Sequence, residues 1–235
     1  VQGPTPCYFY YPLSPARYCG LSCCTVCGNC VATTGSDKMP LILASASPRR
    51  RQLLQQLGVD YRCEPAGIDE SRCAGEKPAD YVLRMAREKA QTVASRHSRG
   101  EVAVLAADTS VVVDEDVLGK PVDHFDGLGM LARLSGRTHA VLTGVCLYTG
   151  RGECLSQVVE TRVSFVQLTR EQCEAYLATD EPWDKAGGYA IQGLAGAFVS
   201  AIEGSYSNVV GLPLTETWQL LSGQGIATAL EKAIE

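Results

Sequence analysis

The stretch "VAVLAADTSVVV", residues 102–113, constrains this chain most. It is apolar enough for a strand buried on both faces, and such strands belong to sheets covered by helices. Around it, strand-like and helix-like patterns alternate. "LILAS" (41–45) is a short apolar strand, and "PRRRQLLQQLG" places Leu53, Leu54 and Leu57 on one helical face, ended by Gly58. "ADYVLRMAREKAQTVAS" (79–95) predicts a second helix, "EVAVLAADTSVVVDED" (101–116) a strand region, and "GLGMLARLSG" (127–136) a third helix stopped by Ser-Gly. "THAVLTGVCLYTG" and "ECLSQVVETRVSFVQL" flank the turn "TGRG" as a long hairpin. In "LTREQCEAYLA", Thr169 and Gln172 fit a capping box, and a last helix is expected in "LPLTETWQLLS". No internal repeat interrupts this order, which favours one α/β unit with room for two lobes.

Residues 1–38 follow no such pattern. Six of the eleven cysteines lie there, and "YCGLSCCTVCGNC" repeats Cys24, Cys27 and Cys30 every third residue, a spacing a zinc knuckle would share. The segment is expected to be an extraneous or disordered Cys-rich leader, with Met39 as the start of the working domain, residues 39–235. No apolar run reaches the length of a membrane span, and a net charge of -5 disfavours a general nucleic-acid or anionic-membrane surface. The dispersed cysteines suit a reducing cytoplasm.

A polyanion would therefore need a local cationic cluster. Ser47 is a good N-cap and Pro48 a good first helical residue, so free amides and a positive dipole end follow the first strand. Arg49, Arg50 and Arg51 surround that turn with planar donors suited to phosphate oxygens. A capped helix with a solvated basic turn would read the same, at a mild electrostatic penalty.

Two further residues need partners. Lys89 projects from the apolar stripe Val82, Met85, Ala86 and Val93, so it either snorkels out or meets an anion. Asp108 interrupts the buried strand and wants a cation: a divalent metal, Lys89, or Lys120 in "LGKP"; a turn aspartate is the plain alternative. Glu70 in "GIDES" is uninformative by itself. Walker, dinucleotide-fold and H-E-x-x-H patterns are absent, and His97, His124 and His139 are isolated.

Taken together, "LASASPRRRQLL", "GIDES", "REKA", "AADTSVVV", "GKP", "DKAGGYAIQG" and "NVVGLPL" resemble, in order and spacing, the Maf family of nucleotide pyrophosphatases, from about Met39 to Ser222. The resemblance implies a central twisted mixed β-sheet flanked by helices, two-lobed with a cleft, as in inosine triphosphate pyrophosphatases. It implies hydrolysis of a nucleoside triphosphate between the α and β phosphates with Mg²⁺ or Mn²⁺, and a homodimer is compatible with it. By the family pattern Asp108 would be the general base and, with Glu70, a metal neighbour. Ser45, Ser47, Arg49, Arg50, Lys89 and Lys120 would surround the phosphates. Arg49, Thr109 and Gln192 match the branch acting on dTTP and UTP, which could extend to modified pyrimidines. A glutamine amide such as that of Gln192 can pair bidentately with the edge of thymine or uracil, although a surface glutamine on a Gly-rich loop would look alike. The 7-methyl-GTP branch carries a tryptophan where Arg49 stands and resembles the chain less. A nucleotide-binding regulator of cell division is the alternative of another class. Asp184 and Lys185 also match, as pocket-shaping residues or a structural ion pair, and Arg51 exceeds what the motif needs.

Overall fold

A computed structural model describes residues 39–232; the Cys-rich segment 1–38, with its zinc and leader readings, lies outside the described residues. The elements run β1 (Leu41–Leu43), α1 (Pro48–Gln56), β2 (Tyr61–Cys63), α2 (Pro78–Ala94), β3 (Ala103–Val113), β4 (Asp116–Leu118), α3 (His124–Leu134), β5 (Thr138–Tyr148), β6 (Cys154–Phe165), α4 (Arg170–Leu177), β7 (Val199–Glu203), α5 (Tyr206–Val210), α6 (Leu214–Gly223) and α7 (Ala229–Lys232). One seven-stranded sheet has the order β2-β1-β3-β5-β6-β7, with β4 also pairing β3. β1 is parallel to β2 and β3, whereas β3, β5, β6 and β7 are antiparallel in succession, so the sheet is mixed as expected.

β3 and β5 are long enough, at eleven residues each, to serve two cores. Near the start of β3, Ala103, Leu105 and Ala107 pack with β1, α1 and α6 on one face, while Val104 and Ala106 pack with α2 on the other. Toward its end, Val111 and Val113 join Leu131, Leu134, Val163, Phe165 and Tyr176 in a separate core. The strands β3 and β5 run continuously between these cores.

Two expectations are corrected. The strand region 101–116 is not continuous, because Asp114 and Glu115 both take positive φ, 53° and 68°, and turn the chain into β4. A two-residue hairpin of type I′ requires that left-handed pair, here supplied without glycine. The third helix begins at His124 rather than 127, because the Asp123 side chain accepts from Asp126 N, and it ends at Leu134. The capping box at Thr169 and Gln172 is present. The short strands β2 and β7 and the short helices α5 and α7 carry too few residues for a periodic signal, and pattern reading passed over them.

α2 lies against the sheet through Val82, Met85, Ala86, Ala90 and Val93, all fully buried. Burial of each larger side chain contributes about 1.5–3 kcal/mol. The approach is close because residue 144 is glycine: a Cβ there would overlap the Val82 carbonyl and lie 2.9 Å from Leu83 N. Gly144 is the β5 partner of Asp108 on β3, so the same close approach brings α2 over Asp108. Gly144→Ala is expected to destabilise the fold by about 1–3 kcal/mol through overpacking. A urea midpoint equal to wild type would show that α2 does not need this spacing.

Candidate functional site

β1 stops at Leu43, where Ala44 N donates to Leu105 O at 2.8 Å, but β3 continues past it. A cleft of about 540 Å³ opens in that space, outside the carboxyl end of β1. Crevices of this kind are where open α/β sheets receive ligands. Ser45, Ser47, Arg49, Arg50, Glu70, Lys89, Asp108, Thr109, Lys120 and Gln192 all line it, so the residues expected at the phosphates, the metal and the base share one cavity.

Adjacent positions on β3 face opposite sides of the sheet, and the cleft straddles that edge. On the α2 side, Asp108 and Lys89 are nearly buried, at 7% and 8% exposure, and Lys89 Nζ lies 2.7 Å from Asp108 Oδ1. The same ammonium is 2.7 Å from Oε1 of Glu70, which reaches in from the loop before α2. Lys89 does not snorkel. Burial pushes the Glu70 carboxyl up, but the Lys89 hydrogen bond and charge, with Lys120 and Arg50, outweigh it and hold the group below its ordinary value.

On the other side, Thr109 faces α1. Ser47 caps α1 by accepting from Arg50 N at 3.4 Å, and Ser45 Oγ accepts from Ser47 N at 3.1 Å, so the serines fix the turn. Arg50 turns inward: its Nε donates to Gly211 O at 2.8 Å and its Nη2 to Thr109 Oγ1 at 3.2 Å. Burial lowers the pKa of its guanidinium, opposed by the charges of Asp108 and Glu70. Arg49 points along the rim toward Asp184, 3.5 Å away, and Asp184 is also bonded by Lys185, so the expected ion pair forms at the cleft wall. Arg51 is exposed.

Lys120 and Gln192 are exposed at the rim. Five cationic side chains and three carboxylates line the cavity, an excess of two positive charges in a chain of net charge -5. Such a cleft concentrates polyanions. Its remaining wall, with Val111, Val141, Ile191 and Val209, is apolar, suited to a flat ring.

Glu70 and Asp108 converge on a single point, now held by Lys89 Nζ. Magnesium and manganese are commonly held by one or two carboxylates plus substrate phosphate oxygens, and this pair fits that mode. Among the described residues no three His, Cys, Asp or Glu side chains form a protein-only cage.

The histidines contribute elsewhere. His139 is buried against Tyr189, with Nε2 2.8 Å from the phenol oxygen, and burial holds its pKa down near 4. Pattern reading missed Thr143 and Asn208, both fully buried behind Thr109; the polar Thr143 within apolar "AVLTGVCL" was the available signal. No described helix is long and apolar enough to cross a membrane.

The model of the family described as "Maf-like protein" matches residues 40–224. A dTTP/UTP pyrophosphatase of Anaeromyxobacter sp. strain Fw109-5 is 56% identical over 189 residues, covering 79% of this chain and 89% of the relative. That of Anaeromyxobacter dehalogenans strain 2CP-C is 53% identical over 195 residues, covering 82% and 97%. Among solved structures, a nucleoside-triphosphatase / dITP/XTP pyrophosphatase of Mycobacterium abscessus aligns at TM-score 0.36 and 19% identity, over 55% of this chain and 76% of that one.

Replacing Lys89 by Met leaves Asp108 buried without its cation, at a cost of about 3 kcal/mol at neutral pH. Because the folded-state pKa of Glu70 is lowered, its contribution is present above its ordinary 4.5 and lost as pH falls through the folded value. The gap in stability between wild type and Lys89→Met should therefore narrow on acidification below 4.5. A gap independent of pH, measured by urea unfolding, would contradict the carboxylate clamp.

Proposed function

The chain belongs to the Maf-like family, and on that premise we propose that it hydrolyses nucleoside triphosphates, dTTP and UTP foremost, to the monophosphate and pyrophosphate. The observation that carries this reading is the convergence of a basic helix start, a buried lysine and a buried aspartate on one cleft.

The triphosphate lies along the cation-lined wall. Arg50, held by Gly211 O, Thr109 Oγ1 and Ser45 Oγ, presents the second hydrogen of each terminal nitrogen to phosphate oxygens, and the N-terminal turn capped by Ser47 adds the positive end of α1. Arg49 and Lys120 approach from the rim, where they stabilise charge on the departing pyrophosphate. Asp108 accepts the proton of a water attacking the α phosphorus in line; the α–β bridging bond breaks and pyrophosphate leaves with its electron pair. No covalent enzyme intermediate is needed. A magnesium or manganese ion, held by Glu70 and Asp108 together with phosphate oxygens, would neutralise phosphate charge. For the carboxylates to hold it, Lys89 must swing toward the phosphates, a small movement for a flexible stem.

Gln192, Thr109 and Arg49 are proposed to favour pyrimidines, modified ones included. Gln192 lines the exposed rim, and a glutamine amide can pair with the acceptor-donor-acceptor edge of thymine or uracil, which supports this reading. Another base preference, 7-methyl-GTP among them, would use the same machinery. A cytoplasmic homodimer is the proposed working form.

Pyrophosphate release measured over a nucleotide panel with Mg²⁺ should show dTTP and UTP turned over fastest, with activity lost on chelation. Asp108→Asn should lower kcat about 10²–10⁴-fold while nucleotide still binds. Equal turnover of all bases would reject the pyrimidine assignment. Full activity of Asp108→Asn would reject the base. A cellular effect unchanged by that substitution would favour the division-regulator alternative.

A further inference from the structure

Behind Arg50 lies a line of hydroxyls that runs from Thr109 at the cleft wall to the fully buried Thr143, which does not line the cleft. Arg50 Nη2 donates to Thr109 Oγ1 at 3.2 Å, Thr109 Oγ1 is 2.9 Å from Thr143 Oγ1, and Thr143 donates to the backbone carbonyl of Asn208 at 3.2 Å. A threonine hydroxyl has one proton to give. Since Thr143 gives its proton to Asn208 O, Thr109 must give its own to Thr143. Its lone pairs then face the guanidinium, and all donors run one way, from Arg50 inward.

The far end of this line is rigid. Asn208 is fully buried, and its Nδ2 donates to Val141 O on β5 at 3.1 Å and to Thr161 Oγ1 on β6 at 3.0 Å. Thr161 in turn donates to Ser205 O and accepts from Ser205 N, at 3.2 and 3.0 Å. α5 has only five residues, too few to hold itself, so these bonds fasten it to the sheet. Gly211 follows directly, at φ 123°, a conformation suited to glycine, and its carbonyl takes Arg50 Nε at 2.8 Å. Asn208 therefore anchors two of the three acceptors of Arg50, one through Thr143 and Thr109 and the other through the α5 turn; the third, Ser45 Oγ, takes Nη1 at 3.5 Å.

We propose that Thr143 and Asn208 are positioning residues which, from the face of the sheet away from Asp108, fix the Arg50 guanidinium in the orientation that grips the phosphates. The inference rests on the proposed phosphate role of Arg50. An arginine tied at Nε and both terminal nitrogens loses little rotamer freedom on binding, which a solvated arginine would have to give up.

The test uses the full chain, with dTTP and Mg²⁺. Thr143→Val keeps the shape but removes the hydroxyl and should lower kcat/KM about tenfold or more, carried by KM, with the melting midpoint shifted by only a few degrees. Thr143→Ser should stay within about threefold of wild type. If Thr143→Val unfolds the chain, Thr143→Ala carries the same expectation. In an Arg50→Lys background, Thr143→Val should add no further loss, because the group it positions is gone. Equal damage from Thr143→Ser and Thr143→Val, or a Thr143→Val penalty that is undiminished in the Arg50→Lys background, would overturn the positioning role while leaving the phosphate reading intact. Wild-type kinetics for Arg50→Lys would instead overturn the phosphate role of Arg50, and the positioning role with it.

Discussion

The architecture of the cleft depends on one interaction: a nearly buried ammonium, Lys89 Nζ, held 2.7 Å from both Asp108 and Glu70. Neither buried charge could stand without the other, since an unpaired ion in a protein interior costs several kcal/mol. Their meeting requires α2 to lie hard against β3 and β5, which the missing side chain at Gly144 permits. A salt bridge in this position adds little net stability compared with apolar residues of the same volume. Its retention is better explained by what the groups do when a ligand arrives: a lysine that can move to an anion, and carboxylates that can accept a cation or a proton.

The opposite wall follows a different logic. Three arginines in the first turn of α1 oppose the helix dipole, and no acid there offsets them. The hydrogen bonds of Arg50 go to neutral acceptors, a carbonyl and two hydroxyls, with no carboxylate among them. Neutral partners orient the guanidinium without cancelling its charge, which leaves it available to an anion. Arg49, loosely paired with Asp184 at 3.5 Å, remains adjustable at the rim. One fixed and one adjustable arginine at the same turn suit a ligand with several charged groups.

Much of this was legible from residue patterns. The inward Lys89 and the strand-interrupting Asp108 betrayed themselves as polar groups in apolar stripes, and Ser47-Pro48 marked the helix start where it lies. That these features share a cavity was not derivable from local periodicity; only the family resemblance suggested it, and the long continuation of β3 past β1 is what achieves it. The Asp114-Glu115 turn escaped notice because it lacks the glycine or asparagine that usually announces a left-handed pair. The Thr109, Thr143 and Asn208 line was equally hidden. Each residue sits on a different element, and their bonds span 34 and 65 positions in sequence.

The central claim is that this cleft presents Asp108 to the α phosphorus of a triphosphate whose tail lies among the cations. Hydrolysis of dTTP in ¹⁸O-labelled water, followed by mass analysis of both products, addresses it most directly. The account predicts the label in the nucleoside monophosphate and unlabelled pyrophosphate. Label in pyrophosphate, or release of orthophosphate, would place the attack elsewhere along the chain and contradict it.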